Sequence, residues 1–385
     1  MYECVLQDRE GNGSIVIYDP RNHLFYGEGI PLPPTPEERA ACTEENRPIV
    51  VRIGLGQKCN FSCRYCSQAV CREGKVTALP PEELVARIVR FVGTRDVEVI
   101  QFWGGEPLVY FEEIRRLHSL FEESGISIIG YFISTNGSLL KGERLQWILD
   151  NNIHVGLSYD GPGQELRGKD VLMDPEVWEA VQTLLCKPDS LGFAPVMTAE
   201  NTRHKDYVDY LTAIINRNDF TIGESRIATI MDETAFKFRV PEADLPDYCR
   251  QMFLDLVGGE LPQYFLAHKS AHIFACTLGV PPAPGSRCFV SNPYTIAVDM
   301  AGKVLTCQNY SADSIDEESG ESHCLGDIAG LKPGGPPPLP ALSRLIAKQQ
   351  EKCDGCMVSA LCRGGCPFSP SEYEDYNCKA AYHQY

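Results

Sequence analysis

The chain has 385 residues, of which 43% are hydrophobic and 23% charged, a composition typical of a globular protein with a sizeable core. A net charge of −17 disfavours DNA or transfer RNA as a partner, because an acidic chain repels phosphate backbones. The first twenty residues hold no sustained apolar run and no transmembrane run follows, so we expect a cytoplasmic protein with no membrane partner. Its 17 cysteines, an odd number, are better explained as metal ligands than as disulfides.

The N-terminal segment, residues 1–48, precedes the main repeating pattern. Strand-like runs at 3–6 and 14–18 flank turn-forming residues and predict a hairpin. A helix start is indicated at Pro36. We expect this segment to cover an edge of the main domain, with substrate contact as the alternative.

Strand-like and helix-like segments alternate over residues 49–230. The pattern predicts an α/β fold, a partial (β/α)6 TIM-like barrel with parallel strands and right-handed crossovers. Such sheets carry their chemistry at the C-terminal ends of the strands. The predicted strands are 50–55, 97–103, 126–134, 153–159, 191–198 and 223–230. The predicted helices are 81–92, 111–124, 141–150, 175–186 and 205–217.

Three cysteines follow the first predicted strand with C-x3-C-x2-C spacing: Cys59, Cys63 and Cys66. Thiolates are preferred ligands of iron–sulfur clusters, and four normally hold a [4Fe–4S] cube. Three ligands would leave one iron open to bind another molecule. For this motif taken alone, a zinc site or three unrelated core thiols is the alternative.

The next three predicted strands each end in polar or glycine-rich residues. Glycine lets the backbone approach a ligand closely, and a carboxylate accepts hydrogen bonds from an ammonium group. Each piece alone is an ordinary turn, whereas their order at successive strand ends indicates one site. The stretches are Trp103-Gly104-Gly105-Glu106-Pro107, Ser134-Thr135-Asn136-Gly137, and Ser158-Tyr159-Asp160-Gly161-Pro162 followed by Arg167-Gly168.

Together these motifs resemble the signature of radical S-adenosylmethionine (SAM) enzymes. The resemblance implies that Cys59, Cys63 and Cys66 hold a catalytic [4Fe–4S] cluster whose open iron chelates SAM. One electron from that cluster would cleave SAM to a 5′-deoxyadenosyl radical. The reductant would be a protein such as flavodoxin or ferredoxin.

The resemblance also implies which residues contact SAM. Glu106 and the backbone around it would bind the methionyl amino group, and Arg167 would pair with the carboxylate. Ser134 or Asn136, together with Ser158, would lie near the ribose or carboxylate. Asp160 would position its loop or touch substrate. The short Asp160–Arg167 spacing without a histidine departs from the family pattern. The implied cofactor-binding residues are Tyr65, Gly104, Gly105, Glu106, Pro107, Ser134, Asn136, Ser158, Asp160 and Arg167.

Residues 231–285 form a helical bridge in this interpretation. An amphipathic helix is predicted at 245–257 and a second helix at 261–278. The second carries His268 and His272 at i, i+4 spacing. Without a neighbouring glutamate or a third ligand, we expect a packed or exposed pair rather than a metal site.

A second group of cysteines lies in residues 286–385. Residues 296–307 predict a hairpin that presents Cys307 at its end. Spacing alone leaves one or two structural zinc ions as an alternative. The cysteines are Cys288, Cys307, Cys324, Cys353, Cys356, Cys362, Cys366 and Cys378.

Their order resembles the SPASM extension of radical SAM enzymes, which holds two auxiliary [4Fe–4S] clusters and would bring the total to three. The implied ligands of one cluster are Cys353, Cys356, Cys362 and Cys378. The implied ligands of the other are Cys288, Cys307 and Cys366. Its fourth ligand is assigned to Cys324, with Cys276 or an open iron as the alternatives.

The resemblance favours a peptide maturase that oxidatively crosslinks residues of a ribosomally made peptide through a C–C or C–S bond. A dehydrogenase or epimerase of a small molecule is the main alternative. Sulfatase-maturating enzymes, which oxidise serine or cysteine to formylglycine, have a basic aspartate directly after the second SPASM cysteine. Gln308 stands there in this chain and cannot act as a base. A metal-binding scaffold without activity would need no series of SAM-binding loops.

Overall fold

A computed structural model of the chain describes residues 2–7, 13–19, 24–27, 48–66, 68, 77–201, 203–222, 226–227, 237–257, 294–316, 320–338, 376 and 378–379. The N-terminal strands are β1 (Tyr2–Gln7), β2 (Gly13–Asp19) and β3 (Leu24–Gly27). They form an antiparallel sheet in the order β1-β2-β3. The predicted hairpin is therefore confirmed, and β3 is an addition that the sequence did not predict.

The rest of the described chain alternates strands and helices. Its strands are β4 (Ile49–Gly54), β5 (Val97–Trp103), β6 (Tyr131–Thr135), β7 (His154–Leu157), β8 (Leu191–Phe193), β9 (Val196–Met197), β10 (Thr221–Ile222), β11 (Arg226–Ile227), β12 (Thr295–Asp299), β13 (Lys303–Leu305) and β14 (Cys324–Asp327). Its α-helices are α1 (Pro81–Val92), α2 (Phe111–Glu123), α3 (Gly142–Asp150), α4 (Gln164–Arg167), α5 (Pro175–Leu185), α6 (His204–Ile215) and α7 (Leu245–Val257). The predicted helices at 81–92 and 245–257 are confirmed with the same bounds.

Within the described residues the main sheet has nine strands in the order β10-β8-β7-β6-β5-β4-β12-β13-β14. Strands β4 to β8 and β10 pair in parallel, which confirms the predicted α/β fold of TIM-like type. Ile49, Val51 and Ile53 of β4 are fully buried in the core that the helices cover. Because successive strand residues point to opposite faces, Val50 and Arg52 lie on the other, inner face.

Two predicted strands have different bounds in the structure. The prediction at 191–198 is split into β8 and β9, because Pro195 has no backbone N–H with which to continue the ladder. The predicted strand 223–230 starts earlier, as β10, and its continuation β11 pairs with β9 in a separate parallel sheet.

The strand β12 attaches the C-terminal region to the barrel sheet. It runs parallel to β4, with Thr295 opposite Val50 and Asp299 opposite Gly54. The antiparallel strand β13 then returns along β12, which confirms the predicted hairpin. Ala297 pairs with Leu305, so two residues further on Cys307 is opposite Thr295 and level with Val50, near the start of β4. The Cys59 loop instead follows the end of β4. Cys307 and the Cys59 loop therefore lie towards opposite ends of the strands of the same sheet.

Several predicted features lie outside the described residues. They are the helix at 261–278, the helix start at Pro36, and Cys276, Cys288, Cys353, Cys356, Cys362 and Cys366. In the part of the chain that the structure describes, no helix has the length and apolarity needed to cross a membrane.

Candidate active site

The predicted cluster cysteines lie on the loop that follows β4. Cys59, Cys63 and Cys66 are half-buried, and none of the three is part of a disulfide. Burial raises the pKa of Cys63 to about 11; Arg167 opposes this shift, and Cys66 and Cys59 add to it. The three thiols thus influence one another electrostatically across this loop. Three neighbouring thiols on one short loop are a suitable donor set for an iron–sulfur cluster.

The fit of such a cluster rests on this donor set rather than on coordination geometry. Among the described residues, no group of three or more His, Cys, Asp or Glu side chains has an arrangement that could hold a metal ion. Cys59 also accepts a hydrogen bond at its sulfur from the backbone N–H of Phe61, at 3.4 Å. Hydrogen bonds to sulfur are among the features that set the potential of an iron–sulfur cluster.

The loop after β5 packs directly on the cysteine loop. The backbone N–H groups of Gly105 and Glu106 donate to the carbonyls of Gly56 and Lys58, both at 2.9 Å. A Cβ atom on Gly105 would lie 2.5 Å from the Lys58 carbonyl oxygen, and one on Gly104 would lie 2.6 Å from that of Gly56. The two glycines therefore allow the backbone of this loop to pack on the backbone of residues 56–58. The sequence analysis had expected them to let the backbone approach a ligand.

Glu106 joins this loop to the end of β6. Its carboxylate is buried and accepts hydrogen bonds from Thr135 Oγ1 at 2.6 Å, Asn136 N at 2.7 Å and Leu108 N at 3.0 Å. Burial raises the pKa of Glu106, and these hydrogen bonds oppose the rise. A carboxylate has about four acceptor positions, so one position is available for an ammonium group. Pro107, also buried, begins the 3₁₀ turn that the Glu106 side chain caps.

The Asn136 side chain contacts the cysteine loop. Its Nδ2 donates to Asn60 Oδ1 at 2.9 Å, and Asn60 Nδ2 donates to Ser138 Oγ at 2.8 Å. Asn60 directly follows Cys59, so this network fixes the start of the loop. Ser134 and Ser158 are half-buried at the ends of β6 and β7, and the backbone N–H of Ser158 donates to the Thr135 carbonyl at 2.8 Å.

A buried ion pair follows β7. The Arg167 guanidinium donates to Asp160 through Nη2 at 2.9 Å and through Nε at 3.2 Å. The Tyr65 hydroxyl donates to the same carboxylate, and Arg167 Cζ lies 5.6 Å from the centroid of the Tyr65 ring. Burial disfavours the charge of Arg167, but Asp160 outweighs it, and the pKa of Arg167 is raised. The predicted residues Tyr65, Asp160 and Arg167 are thus in mutual contact.

Two cysteines of the second group lie on neighbouring strands. Cys307 is buried just after β13, and the half-buried Cys324 begins β14 opposite Leu305. The backbone N–H of Thr306 donates to the His323 carbonyl at 2.9 Å, which brings the residues preceding both cysteines together. Cys378 is exposed. The structure does not describe the other five cysteines of this group.

The sequence interpretation missed Arg52. This residue lies on the inner face of β4, and its Nη1 donates to the side-chain oxygen of Gln308. The available signal was a single charged residue inside the otherwise apolar run Ile49–Gly54. A charge at one of the alternate positions of a barrel strand indicates an inner face that is not wholly apolar.

Comparison with known proteins identifies a family that matches the residues around this site. Residues 53–191 match the family described as the Radical SAM superfamily. The chain is 26% identical over 132 residues to the "Radical SAM cyclopropyl synthase TigE" of Paramaledivibacter caminithermalis, covering 30% of this chain and 28% of that protein. It is 35% identical over 107 residues to the "GTP 3′,8-cyclase" of Staphylococcus carnosus, covering 26% of this chain and 31% of that one. The chain thus spans less than a third of the length of either relative.

Solved structures show a similar fold over most of the chain. Native anSMEcpe with bound AdoMet has a TM-score of 0.62 at 20% sequence identity, and the match covers 88% of this chain and 97% of that one. The structure of anSMEcpe with bound AdoMet and the Kp18Cys peptide has a TM-score of 0.63 at the same identity and coverage. The radical SAM superfamily uses SAM and a [4Fe–4S] cluster. Residues 53–191, with the cysteine loop and the strand-end residues described above, are a radical SAM domain.

Proposed function

We propose that this chain is a radical SAM oxidoreductase that crosslinks residues of a ribosomally made peptide by forming a C–C or C–S bond. The observation that carries the proposal is the pairing of β12 with β4. Through β13 and β14 it joins Cys307 and Cys324 to the sheet that bears the Cys59 loop, and Cys307 lies towards the opposite end of the strands. A substrate on the inner face would then have a redox-active group on each side.

The chain's own residues supply the cofactor site. Cys59, Cys63 and Cys66 would hold the cluster, and the remaining acceptor position of Glu106 would bind the SAM ammonium group. Ser134 and Ser158 would lie near the ribose or the carboxylate. When bound, the cluster and SAM supply chemistry that removes a hydrogen atom from an unactivated carbon. The loops at the strand ends position the substrate and exclude water.

A crosslink requires the removal of two hydrogen atoms from the peptide. SAM bound in this site would take up one of them as a hydrogen atom. The other would leave as a proton and an electron, and the residues of the second cysteine group would hold an auxiliary cluster able to accept that electron. A first auxiliary cluster would use Cys288, Cys307 and Cys366, and the position of Cys324 on the strand beside Cys307 supports Cys324 as its fourth ligand. Flavodoxin or ferredoxin would supply the electron that starts each turnover.

The share of the chain that each similarity covers favours a peptide over a small molecule as the substrate. The likeness to anSMEcpe, a protein solved with a bound peptide, covers 88% of this chain. The likeness to GTP 3′,8-cyclase favours a small-molecule substrate, but it covers only 26% of this chain. A net charge of −17 also provides no general attraction for a triphosphate.

Formylglycine formation remains disfavoured. The Gln308 side chain accepts a hydrogen bond from Arg52, and an amide held in this way is not a proton acceptor for catalysis. The change Gln308→Asp would place a new carboxylate beside the Arg52 guanidinium, which lowers a carboxyl pKa and weakens the base.

The decisive experiment incubates the anaerobically reconstituted, reduced enzyme with SAM and peptides encoded by neighbouring genes. We expect one peptide to lose two hydrogen atoms by mass spectrometry, with fragmentation locating the new bond. The variant Cys63→Ala should give no product. Cleavage of SAM without any change in these peptides would contradict the peptide substrate, and absence of both iron and SAM cleavage would contradict the enzymatic assignment.

A further inference from the structure

Tyr65 connects the cysteine loop to the loop that follows β7. It lies between Cys63 and Cys66 in the sequence, and its side chain is buried. Its hydroxyl donates to Asp160, and its ring lies beneath the Arg167 guanidinium. Strand β7 is the third neighbour of β4 in the sheet, so this contact spans the C-terminal edge of the barrel.

The Asp160 carboxylate is fully used by protein donors. Besides Tyr65 and the two donors of Arg167, the backbone N–H of Val196 donates to its Oδ1 at 2.9 Å. Four donors fill the approximately four acceptor positions of a carboxylate. The Asp160 backbone is also held, because its N–H donates to Gln164 Oε1 at 2.9 Å and its carbonyl accepts from Asn201 Nδ2 at 3.2 Å. This arrangement leaves Asp160 no acceptor position for substrate.

A second tether connects the same two loops. The backbone N–H of Arg64 donates to the Leu166 carbonyl at 2.9 Å. A Cβ atom on Gly168 would lie 3.2 Å from the Phe61 ring, so Phe61 packs closely on the backbone that follows α4. A guanidinium that binds a carboxylate through two donors has a fixed orientation, which makes the Asp160–Arg167 pair a rigid support for both tethers.

We propose that Tyr65 is a positioning residue: the buried Asp160–Arg167 pair fixes its hydroxyl and ring, and so holds Cys63 and Cys66 in the orientation that an iron–sulfur cluster requires. In this arrangement Arg167 acts on the cluster loop through Asp160 and Tyr65 and is not the partner of the SAM carboxylate. The inference rests on the proposed function only in taking Cys59, Cys63 and Cys66 as the cluster ligands.

The first test uses the reduced protein without iron, SAM or peptide, so its result is independent of the proposed function. Tyr65→Phe removes one hydroxyl and keeps the ring under Arg167. Tyr131→Phe is the matched control, because Tyr131 is also buried and donates to a carboxylate, Glu122, at 2.7 Å, away from the loop. Circular dichroism and thermal melting verify that both variants are folded.

We expect iodoacetamide to alkylate Cys63 and Cys66 of Tyr65→Phe roughly fivefold or more faster than in the wild type, as loss of a hydrogen bond to a charged group allows. The rates in Tyr131→Phe should equal those of the wild type. Equal rates in Tyr65→Phe and the wild type would overturn the positioning role.

The second test uses the reconstituted holoenzyme and separates the two roles of Arg167. If Arg167 supports the loop, Arg167→Lys and Tyr65→Phe both lose iron to a chelator about tenfold faster, and both change the electron paramagnetic resonance spectrum of the reduced cluster before SAM is added. If Arg167 binds the SAM carboxylate, Arg167→Lys instead changes only the SAM-bound spectrum and the SAM affinity. The latter result would overturn the assignment of Arg167.

Discussion

Glu106 is a buried carboxyl group whose ionisation opposes folding. Burial raises its pKa, so the folded state binds a proton more tightly than the unfolded state does. The stability due to this group is therefore complete below its unfolded pKa and is lost as the pH rises through the folded pKa. The glutamine variant does not titrate at this position.

We expect the free energy of unfolding of the wild type, relative to that of Glu106→Gln, to decrease as the pH rises above about 4.3, the pKa of an unfolded glutamate. Urea denaturation of the protein without cofactors measures this difference. Asp174→Asn is a control of opposite sign, because the Lys141 hydrogen bond lowers the pKa of Asp174. A pH-independent difference for Glu106→Gln would contradict the cause given for its raised pKa.

The Asp160–Arg167 pair predicts a large stability effect from one substitution. Asp160→Asn leaves a buried guanidinium without its countercharge, which destabilises proteins by about 3–5 kcal/mol. Chemical denaturation of the variant measures this loss. Asp174→Asn breaks a partly exposed pair, in which the side chains of Asp174 and Lys141 are 27% and 33% exposed. This variant should lose far less stability. Equal losses in the two variants would mean that burial does not govern the strength of the Asp160–Arg167 pair.

At the residue scale, several side chains that the sequence assigns to a site contact one another in the structure, but the sequence did not predict how they pair. Tyr65, Asp160 and Arg167 were each assigned to SAM or substrate, whereas the structure brings them into contact with one another. A sequence motif states which side chains lie at a strand end. It does not state whether their hydrogen-bonding capacity is spent inside the protein, because that depends on rotamers and on neighbouring loops.

At the level of elements, the packing of the glycine loop on the cysteine loop can be tested with one methyl group. In Gly105→Ala the Cβ atom would overlap backbone carbonyls of residues 57 and 58, which cannot move without moving the cysteine loop. We expect a destabilisation of about 1–3 kcal/mol, together with reduced iron incorporation on reconstitution.

Gly130→Ala is the matched control for this change. No heavy atom lies within 4 Å of the position that its Cβ would occupy. The substitution should leave stability nearly unchanged or slightly increased, because alanine restricts the unfolded chain. If Gly105→Ala incorporated as much iron as Gly130→Ala, close packing of these two loops would not be required for the site.

The elements themselves were predicted well where the signal is local. The strand at 97–103 and the helix at 81–92 have the predicted bounds, because apolar periodicity and a proline in the first helical turn specify them. The hairpin of β12 and β13 was also predicted, but its parallel pairing with β4 was not. That pairing joins residues about 245 positions apart, such as Thr295 and Val50. A local sequence pattern does not indicate with which distant strand a strand will pair.

At the scale of the whole molecule, the proposal of three clusters predicts iron contents that distinguish the two cysteine groups. A cube has four irons, so the anaerobically reconstituted wild type should hold about twelve irons per chain, with matching acid-labile sulfide. The triple variant Cys59→Ala/Cys63→Ala/Cys66→Ala should fall to about eight irons and lose SAM cleavage, since it lacks only the cluster at the barrel mouth.

The variant Cys353→Ala/Cys356→Ala should also fall to about eight irons, because it removes ligands of a single auxiliary cluster. It should still cleave SAM, since the Cys59 loop is intact, but without forming the peptide crosslink, since one acceptor for the second electron is gone. Zinc in place of iron in the wild type's C-terminal region would make that region structural and remove the reason for a net oxidation. Loss of SAM cleavage in both variants would instead contradict the proposal that the two cysteine groups hold separate clusters with separate roles.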